Sequence, residues 1–267
     1  MDRFEPLSAM AALEIAAVSV KGTLRAHNSD HYLAIKLTRG LETVVSSLAD
    51  ADRPPTFEER AYAMLVADGI GRRGEGARAS RVVLSAIAHL TIQHGKWHLR
   101  VDTNTAPAIK QQIQLLYRLA NRVLRQASRN VPGSGLTTSL TLVEVAGGDL
   151  FFASVGDSTA FIFRAGDLIR LTSANLDPLV TQAIGSRLAD ADVEIRHTQL
   201  LPEDRLLLCT NGLTDVVSDA EIADGLTLRR RPADDCQQLV NLAVLRGSHD
   251  DITAMVGDFR LAGAGHG

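Results

Sequence analysis

Two stretches of the chain repeat apolar residues at intervals of three and four, the spacing of one buried helix face. The first runs from residue 79 to about 95, and the second from about 105 to just before Pro132 and Gly133. Pro107 falls in the first turn of the second stretch, where a missing N–H costs no helical hydrogen bond. We expect a third helix over 232–246 and shorter helices over 178–184 and 219–224.

Ten shorter runs are rich in β-formers or alternate apolar and polar residues, which predicts strands. They cover residues 13–20, 32–37, 62–67, 139–145, 150–154, 160–164, 168–172, 192–196, 205–210 and 252–256. Gly147-Gly148 and Ala165-Gly166-Asp167 have the composition of hairpin turns between such strands. Many antiparallel strands with a few long amphipathic helices favour an α+β fold, in which two sheets pack together and helices cover the outside.

The chain has 267 residues, of which 45% are apolar and 22% charged, as in an ordinary folded protein. No Pro/Gly-rich linker or internal repeat divides it, so we expect one domain. We place this domain at residues 13–260, with an N-terminal extension over 1–12 and a flexible tail over 261–267 rich in small residues.

Charge and hydropathy exclude several kinds of partner. The formal net charge of −3 provides no basic field for nucleic acid. No apolar run reaches the roughly 18 residues needed to span a bilayer, and the apolar start contains Glu14 without the basic residues of a signal peptide. Two cysteines, Cys209 and Cys236, make no disulfide framework, which favours a cytoplasmic protein.

Acidic or amide side chains stand beside tight turns at the ends of several predicted strands. Asp68 and Asp157 follow two strands, Asn211 follows a third, and Asp30 and Asp250 precede two others. A single Asp-Gly after a strand is usually a plain turn. Several carboxylates gathered at one rim of a sandwich would repel one another unless cations lay between them. Oxygen ligands of this kind favour Mg²⁺, Mn²⁺ or Ca²⁺ over zinc.

Six segments, in this order, resemble the motifs of the metal-dependent protein phosphatases (PPM, type 2C) in their bacterial form. They are Arg25-Ala26-His27-Asn28-Ser29-Asp30, Val66-Ala67-Asp68-Gly69-Ile70-Gly71, Leu136-Thr137-Thr138, Val155-Gly156-Asp157-Ser158, Leu207-Leu208-Cys209-Thr210-Asn211-Gly212-Leu213-Thr214-Asp215 and Gly247-Ser248-His249-Asp250-Asp251-Ile252-Thr253. The resemblance covers nearly the whole chain, from about Glu14 to Phe259.

The resemblance implies an αββα sandwich with two Mg²⁺ or Mn²⁺ ions that activate a bridging water to hydrolyse phosphoserine and phosphothreonine. By position, Asp68 would bridge both metals, Asp250 and Asn211 would complete one, and Asp30 with the carbonyl of Gly69 would serve the other. Arg25 would bind the substrate phosphate. Asp157 and Asp215, together with position 211, would form a third and weaker metal site.

The largest departure from the family pattern is Asn211, where an aspartate is expected. Asparagine offers one neutral carbonyl oxygen in place of a carboxylate. A negative charge beside a metal pair is worth several kcal/mol, about 4 kcal/mol at 4 Å in an effective dielectric near 20. We expect weaker metal binding and reduced activity. The alternative is an impaired pseudophosphatase that acts as a regulatory module binding a phosphoprotein or a kinase.

Arg72 and Arg73 replace a Gly-His pair typical of bacterial members. They either help to bind an anionic substrate or are solvated loop residues. The expected partners are a phosphorylated protein and a Ser/Thr kinase or its target, with no nucleic acid and no membrane.

Overall fold

Two antiparallel sheets form the centre of the protein. The computed structural model describes residues 10–54, 56–71, 74–95, 101, 105–129, 135–172, 183–186, 193 and 195–262. Their strands are β1 (Met10–Val20), β2 (Asp30–Leu41), β3 (Phe57–Ile70), β4 (Thr137–Thr138), β5 (Leu140–Ala146), β6 (Asp149–Val155), β7 (Thr159–Arg164), β8 (Asp167–Arg170), β9 (Ile195–Gln199), β10 (Arg205–Cys209) and β11 (Ile252–Ala262).

One sheet has the strand order β1-β11-β10-β7-β8, and the other has the order β2-β3-β5-β6-β9, with β4 paired to the end of β3. All of these pairings are antiparallel, and the hairpins β2–β3, β5–β6 and β7–β8 join strands that are consecutive in the chain. The register of β2 and β3 sets Asp30 opposite Asp68 at one end of the hairpin and Leu41 opposite Phe57 at the other.

The helices lie outside the two sheets, and two of them begin at clear N-terminal signals in the sequence. They are α1 (Glu75–His94), α2 (Thr105–Ser128), α3 (Asn211–Thr214), α4 (Asp219–Thr227) and α5 (Pro232–Leu245), and a 3₁₀ turn lies at Asp50–Asp52. At α4, Ser218 and Glu221 exchange the two hydrogen bonds of a capping box. At α5, Pro232 occupies the first turn together with Asp234 and Asp235, whose charges suit a helix N-terminus.

Three layers of apolar side chains hold the sandwich together. Alternate residues of β3 and β5, such as Leu65 and Leu142, pack under α1 and α2. Their neighbours Met64 and Val143 face the other sheet and meet Leu208 and Met255. The opposite faces of β10 and β11 pack against α4 and α5. This αββα arrangement confirms the fold expected from the sequence.

Every predicted strand overlaps an observed one, although β2, β3 and β11 are longer than expected. The strand expected over 192–196 overlaps β9 only at residues 195 and 196, and residues 192 and 194 lie outside the described residues. The β2–β3 pairing extends to residues 41 and 57, where the residues are mostly polar and their pairing, not their hydropathy, defines the strand. Most of the helix expected over 178–184 lies outside the described residues, and Ile184 forms an isolated bridge with Thr138. Most of the expected N-terminal extension and most of the expected tail also lie outside the described residues. The domain limits therefore remain a prediction.

None of the helices in the described ranges has the length and apolar character required to span a membrane.

Candidate metal centre

The β2–β3 register places two carboxylates side by side. Asp30, the first residue of β2, is the direct cross-strand partner of Asp68 near the end of β3. Residues paired in this way have Cβ atoms about 4.5–5.5 Å apart, on the same face of the sheet. The charge of each therefore acts strongly on the other.

Asp30 is buried, with 4% of its surface exposed. Its Oδ2 accepts two hydrogen bonds, from the hydroxyl of Thr210 at 2.7 Å and from that of Thr253 at 2.8 Å. Its Oδ1 is also buried and has no hydrogen-bond partner within the described part of the chain. A buried carboxylate oxygen without a donor is costly, because burial removes it from water without compensation.

A second unpartnered oxygen comes from the segment after β10. Thr210 is the N-cap of α3, but its hydroxyl donates to Asp30 and makes no capping bond. Asn211 follows, and its Oδ1 is buried without a hydrogen-bond partner among the described residues. Asp30 and Asn211 thus each present one oxygen that only a cation or an added donor could satisfy.

Asp250 and Arg25 meet at the exposed side of this cluster. The Nε of Arg25 donates to Oδ1 of Asp250 at 2.7 Å, and one of its terminal nitrogens lies 2.5 Å from the same oxygen. Asp250 precedes β11, so the fold joins residues that are 225 positions apart in the chain. The guanidinium partly neutralises a rim that is otherwise rich in carboxylates.

The backbone around Asp68 is tightly fixed. Its N–H donates to Ser139 Oγ at 2.8 Å, and its carbonyl accepts from Ser139 N at 2.8 Å and from Thr138 Oγ1 at 2.7 Å. Gly69 packs directly against the first turn of α1, where a Cβ at position 69 would lie 1.9 Å from the carbonyl oxygen of Gly76. Only glycine permits this approach.

The pKa values of the buried acids show how unfavourable the cluster is without cations. Burial, opposed by the two threonine hydroxyls, raises the pKa of Asp30 to about 7. Burial and then the charges of Asp30, Asp157 and Asp250 raise the pKa of Asp68 to about 8, against the attraction of Arg25. Such shifts, produced by desolvation and like charges in one place, are typical of metal-binding and catalytic sites.

Asp157 and Asp215 lie at the rim. The pKa of each is raised, by partial burial first and then by neighbouring carboxylates that include Asp250. The structure therefore links these acids in one electrostatic cluster, because Asp68 interacts with Asp30, Asp157 and Asp250, and Asp215 interacts with Asp157 and Asp250. No three acidic, histidine or cysteine side chains in the described ranges are drawn close enough to form a complete ligand set by themselves.

Two expected site features stay as predictions. Arg72 and Arg73 lie outside the described residues. The carbonyl oxygen of Gly69 lies close to Gly76, where a Cβ would be 2.2 Å from this oxygen. The role of the Gly69 carbonyl as a metal ligand remains a prediction.

The sequence did not reveal four residues that organise the site. Thr210 and Thr253 bond Asp30, Ser139 bonds Asp68, and Asp251 accepts backbone N–H groups from the loop before β2. In the sequence, only their positions pointed to the site. Each lies within three residues of a predicted metal ligand or of the motif residue Thr138.

Comparisons with known proteins agree with this architecture. A family model described as "Stage II sporulation protein E (SpoIIE)" matches residues 58–260. The chain is 26% identical over 227 residues to "Serine/threonine protein phosphatase PstP" of Mycobacterium tuberculosis, a match that covers 75% of this chain but 42% of that relative. It is 26% identical over 213 residues to "Protein phosphatase PhpP" of Streptococcus pneumoniae, covering 71% of this chain and 82% of the relative. The chain thus spans less than half the length of PstP.

Solved structures share the fold. The catalytic domain of PstP in complex with two manganese ions superposes with a TM-score of 0.72 at 24% identity, covering 94% of this chain and 100% of that one. PppA of Pseudomonas aeruginosa superposes with a TM-score of 0.71 at 23% identity, covering 94% of this chain and 99% of that one. The chain therefore belongs to the SpoIIE family of PP2C-type domains, and its fold is that of the metal-dependent (PPM) Ser/Thr protein phosphatases.

Proposed function

We propose that this chain hydrolyses phosphoserine and phosphothreonine in proteins with the help of Mg²⁺ or Mn²⁺. One observation carries the proposal: Oδ1 of Asp30 and Oδ1 of Asn211 are buried acceptors without donors in the described structure, beside carboxylates whose pKa values are raised. Divalent cations would satisfy these two oxygens and would remove the repulsion among the acids.

The carboxylate, amide and carbonyl oxygens of the proposed site are of the kind that hard divalent cations prefer. Of two such cations, Asp68 would contact both, Asp250 and Asn211 would complete one, and Asp30 with the carbonyl of Gly69 would serve the other. Asp157 and Asp215, with Asn211, would form a weaker third site. When bound, such ions supply a water of lowered pKa and neutralise charge on the phosphoryl group.

Arg25 would bind the substrate phosphate. Its planar guanidinium matches the oxygens of a phosphate better than an ammonium group does. The side chain is exposed at the rim and already contacts Asp250, so a phosphate held by Arg25 would lie next to that carboxylate. Arg25 thereby fixes where the phosphoryl group can sit relative to the acids.

Neither cysteine is suited to attack phosphorus. Cys209 and Cys236 are both buried, and burial raises the pKa of each thiol to about 12. A thiol with such a pKa supplies almost no thiolate near neutral pH. Direct hydrolysis by water is therefore favoured over a phosphocysteine route.

Asn211 favours a second candidate function. A neutral ligand weakens the attraction for a cation, and with weak enough binding the chain would act as a pseudophosphatase that holds a phosphoprotein or a kinase. The Oδ1 atom of Asn211 nevertheless supports the phosphatase proposal, because within the described structure it accepts no hydrogen bond from a neighbouring residue and so is available to a cation.

The partners follow from the same proposal. The substrate would be a phosphorylated protein, either a Ser/Thr kinase or a protein that such a kinase modifies. A cytoplasmic location agrees with two cysteines that are both free thiols.

Hydrolysis of p-nitrophenyl phosphate, measured with and without Mn²⁺, separates the two candidates. We expect turnover that depends on Mn²⁺, is lost on chelation, and falls at least 100-fold in Asp68→Ala, since a bridging ligand is removed. Asp167→Ala, at the exposed β7–β8 turn, is the matched control and should leave turnover unchanged. Turnover that persists in chelator or in Asp68→Ala would contradict the enzyme proposal, and absent turnover would favour the binding module.

A further inference from the structure

We propose that Asp251 is a positioning residue for Arg25: its carboxylate ties both ends of the loop between β1 and β2 to the segment that carries Asp250. The proposal rests on the proposed function, because it concerns the residue assigned there to the substrate phosphate. Asp251 itself would not contact the substrate and would act through the loop.

The carboxylate of Asp251 bonds two backbone groups that are seven residues apart. Its Oδ1 accepts from the N–H of Gly22 at 2.8 Å, and its Oδ2 accepts from the N–H of Ser29 at 2.7 Å. The side chain is buried, with 2% of the residue exposed, so neither bond competes with bulk water. One side chain thus closes residues 22–29 into a ring that contains Arg25.

Only a carboxylate makes both bonds. An ionised aspartate is an acceptor at both oxygens, whereas the asparagine amide pairs one acceptor oxygen with an NH₂ donor. In Asp251→Asn the amide would therefore lose one of the two bonds and would set its NH₂ against a backbone N–H. A buried donor without an acceptor carries the full cost of desolvation.

Further contacts dock this loop closely on the same segment. Gly22 lies so near residues 249 and 250 that a Cβ there would be 2.3 Å from the carbonyl oxygen of His249 and 2.4 Å from the carbonyl carbon of Asp250. Within the loop, Arg25 N donates to Gly22 O at 3.2 Å, and Lys21 Nζ donates to Arg25 O at 2.7 Å. The backbone of Arg25 is therefore held from the end that Asp251 anchors.

Two adjacent acids consequently divide the work. Asp250 contacts the Arg25 side chain and is an expected metal ligand, while Asp251 bonds the backbone at the two ends of the loop that contains Arg25. Asp30 follows directly on Ser29, the second residue bonded by Asp251. The dipeptide Asp250-Asp251 therefore fixes the position of the Arg25 guanidinium relative to Asp30 and Asp250.

The first test compares Asp251→Asn with Asp204→Asn. Asp204 is an equally buried aspartate (1% exposed) that also accepts a backbone N–H, from Leu201 at 2.7 Å, but it pairs with Arg164 away from the site. In the Mn²⁺-loaded protein we expect Asp251→Asn to raise KM for p-nitrophenyl phosphate and Kd for inorganic phosphate about tenfold, as the loss of one charge-assisted hydrogen bond predicts. Mn²⁺ affinity by calorimetry should change less than about threefold.

Asp204→Asn should lower the thermal midpoint while leaving KM and phosphate Kd unchanged. Asp251→Glu, which keeps both acceptors, should recover part of the phosphate affinity, and it serves as the second variant where Asp251→Asn does not fold. In an Arg25→Ala background, Asp251→Asn should have no further effect on KM, because the residue through which it acts is gone.

A KM and phosphate Kd for Asp251→Asn equal to the wild type, or shifted only as far as in Asp204→Asn, would overturn the proposal. So would full additivity with Arg25→Ala. Hydrogen–deuterium exchange separates this from failure of the proposed function, since it needs no turnover: the amides of Gly22 and Ser29 should lose protection in Asp251→Asn and keep it in Asp204→Asn. If the wild type is inactive but shows that exchange pattern, the proposed phosphatase function is rejected, whereas the anchoring of the loop by Asp251 is supported.

Discussion

Asp30 and Asp68 are direct partners across the β2–β3 hairpin, and both are expected to contact divalent cations. Each carries a raised pKa, of about 7 and about 8, because burial and the neighbouring carboxylates oppose ionisation. The pair therefore couples protons, metal and fold stability in ways that can be measured.

In metal-free protein, Asp30 and Asp68 should together contribute a loss of stability as pH rises from about 4 to about 8. In the unfolded chain both aspartates ionise near pH 4, whereas in the folded chain they hold their protons until pH 7–8, so the folded state binds more protons across this range. Thermal unfolding in chelator at several pH values measures this decline. Glu144, whose pKa burial raises to about 7, contributes with the same sign.

Asp30→Asn tests the contribution of these aspartates to the pH dependence of stability, because it removes one of the two titrating groups and leaves Glu144 in place. The decline in stability should become shallower in this variant. A pH dependence in Asp30→Asn identical to that of the wild type would contradict the raised pKa values.

Asn211→Asp should tighten Mn²⁺ binding by at least tenfold and raise turnover. The substitution adds a carboxylate where the amide oxygen is buried and unpartnered within the described structure, and a unit charge near a cation is worth several kcal/mol, about 4 kcal/mol at 4 Å in an effective dielectric near 20. Isothermal titration with Mn²⁺ gives the affinity. Asn241→Asp, on the exposed side of α5, adds the same charge away from the site and should change neither quantity.

Thr253→Val should weaken Mn²⁺ binding severalfold. The Thr253 hydroxyl donates to Asp30 and also bonds Ser19 Oγ at 2.7 Å, so its removal frees a carboxylate that must keep one orientation. Thr253→Ser retains the hydroxyl and is the matched control. Equal Mn²⁺ affinity in the valine and serine variants would show that this bond does not orient Asp30.

Arg205→Met should destabilise the fold by about 3–5 kcal/mol, since it removes the buried cation between Asp235 and Asp258 and leaves the buried Asp235 with only the longer contact to Arg230. Arg205 is 1% exposed and pairs with Asp235 and Asp258, joining β10 to α5 and β11. Urea unfolding of the metal-free protein measures the loss. Arg260→Met breaks an exposed pair with Glu14 and should cost less than 1 kcal/mol; similar values for the two variants would contradict the role of burial.

The sequence predicted the two-sheet core because residues such as Leu65 and Met64 alternate along strands that are apolar on both faces. It also identified acids at strand ends. It could not identify Thr210 and Thr253 as partners of Asp30, because those bonds join segments 180 and 223 residues away and depend on which strands become neighbours.

Asp251 illustrates a second limit. Next to Asp250 it reads as one more acid of a motif, and only the positions of two N–H groups, both in another segment, distinguish its contacts from those of its neighbour. Residue type and spacing indicate which groups can ionise. Which backbone atoms they meet is decided by loop closure and tertiary packing.

The site draws its oxygens from both halves of the sandwich, with Asp30 and Asp68 at the ends of one sheet and Asn211 and Asp250 at the ends of the other. Between these halves lies an apolar seam in which the Cβ missing from Gly257 would come 2.9 Å from the sulfur of Met64. A small slide along that seam would alter the spacing of the oxygens across it. Cation occupancy and the mutual alignment of the halves are therefore thermodynamically linked, so loading with ions should make the whole fold stiffer and not just its rim.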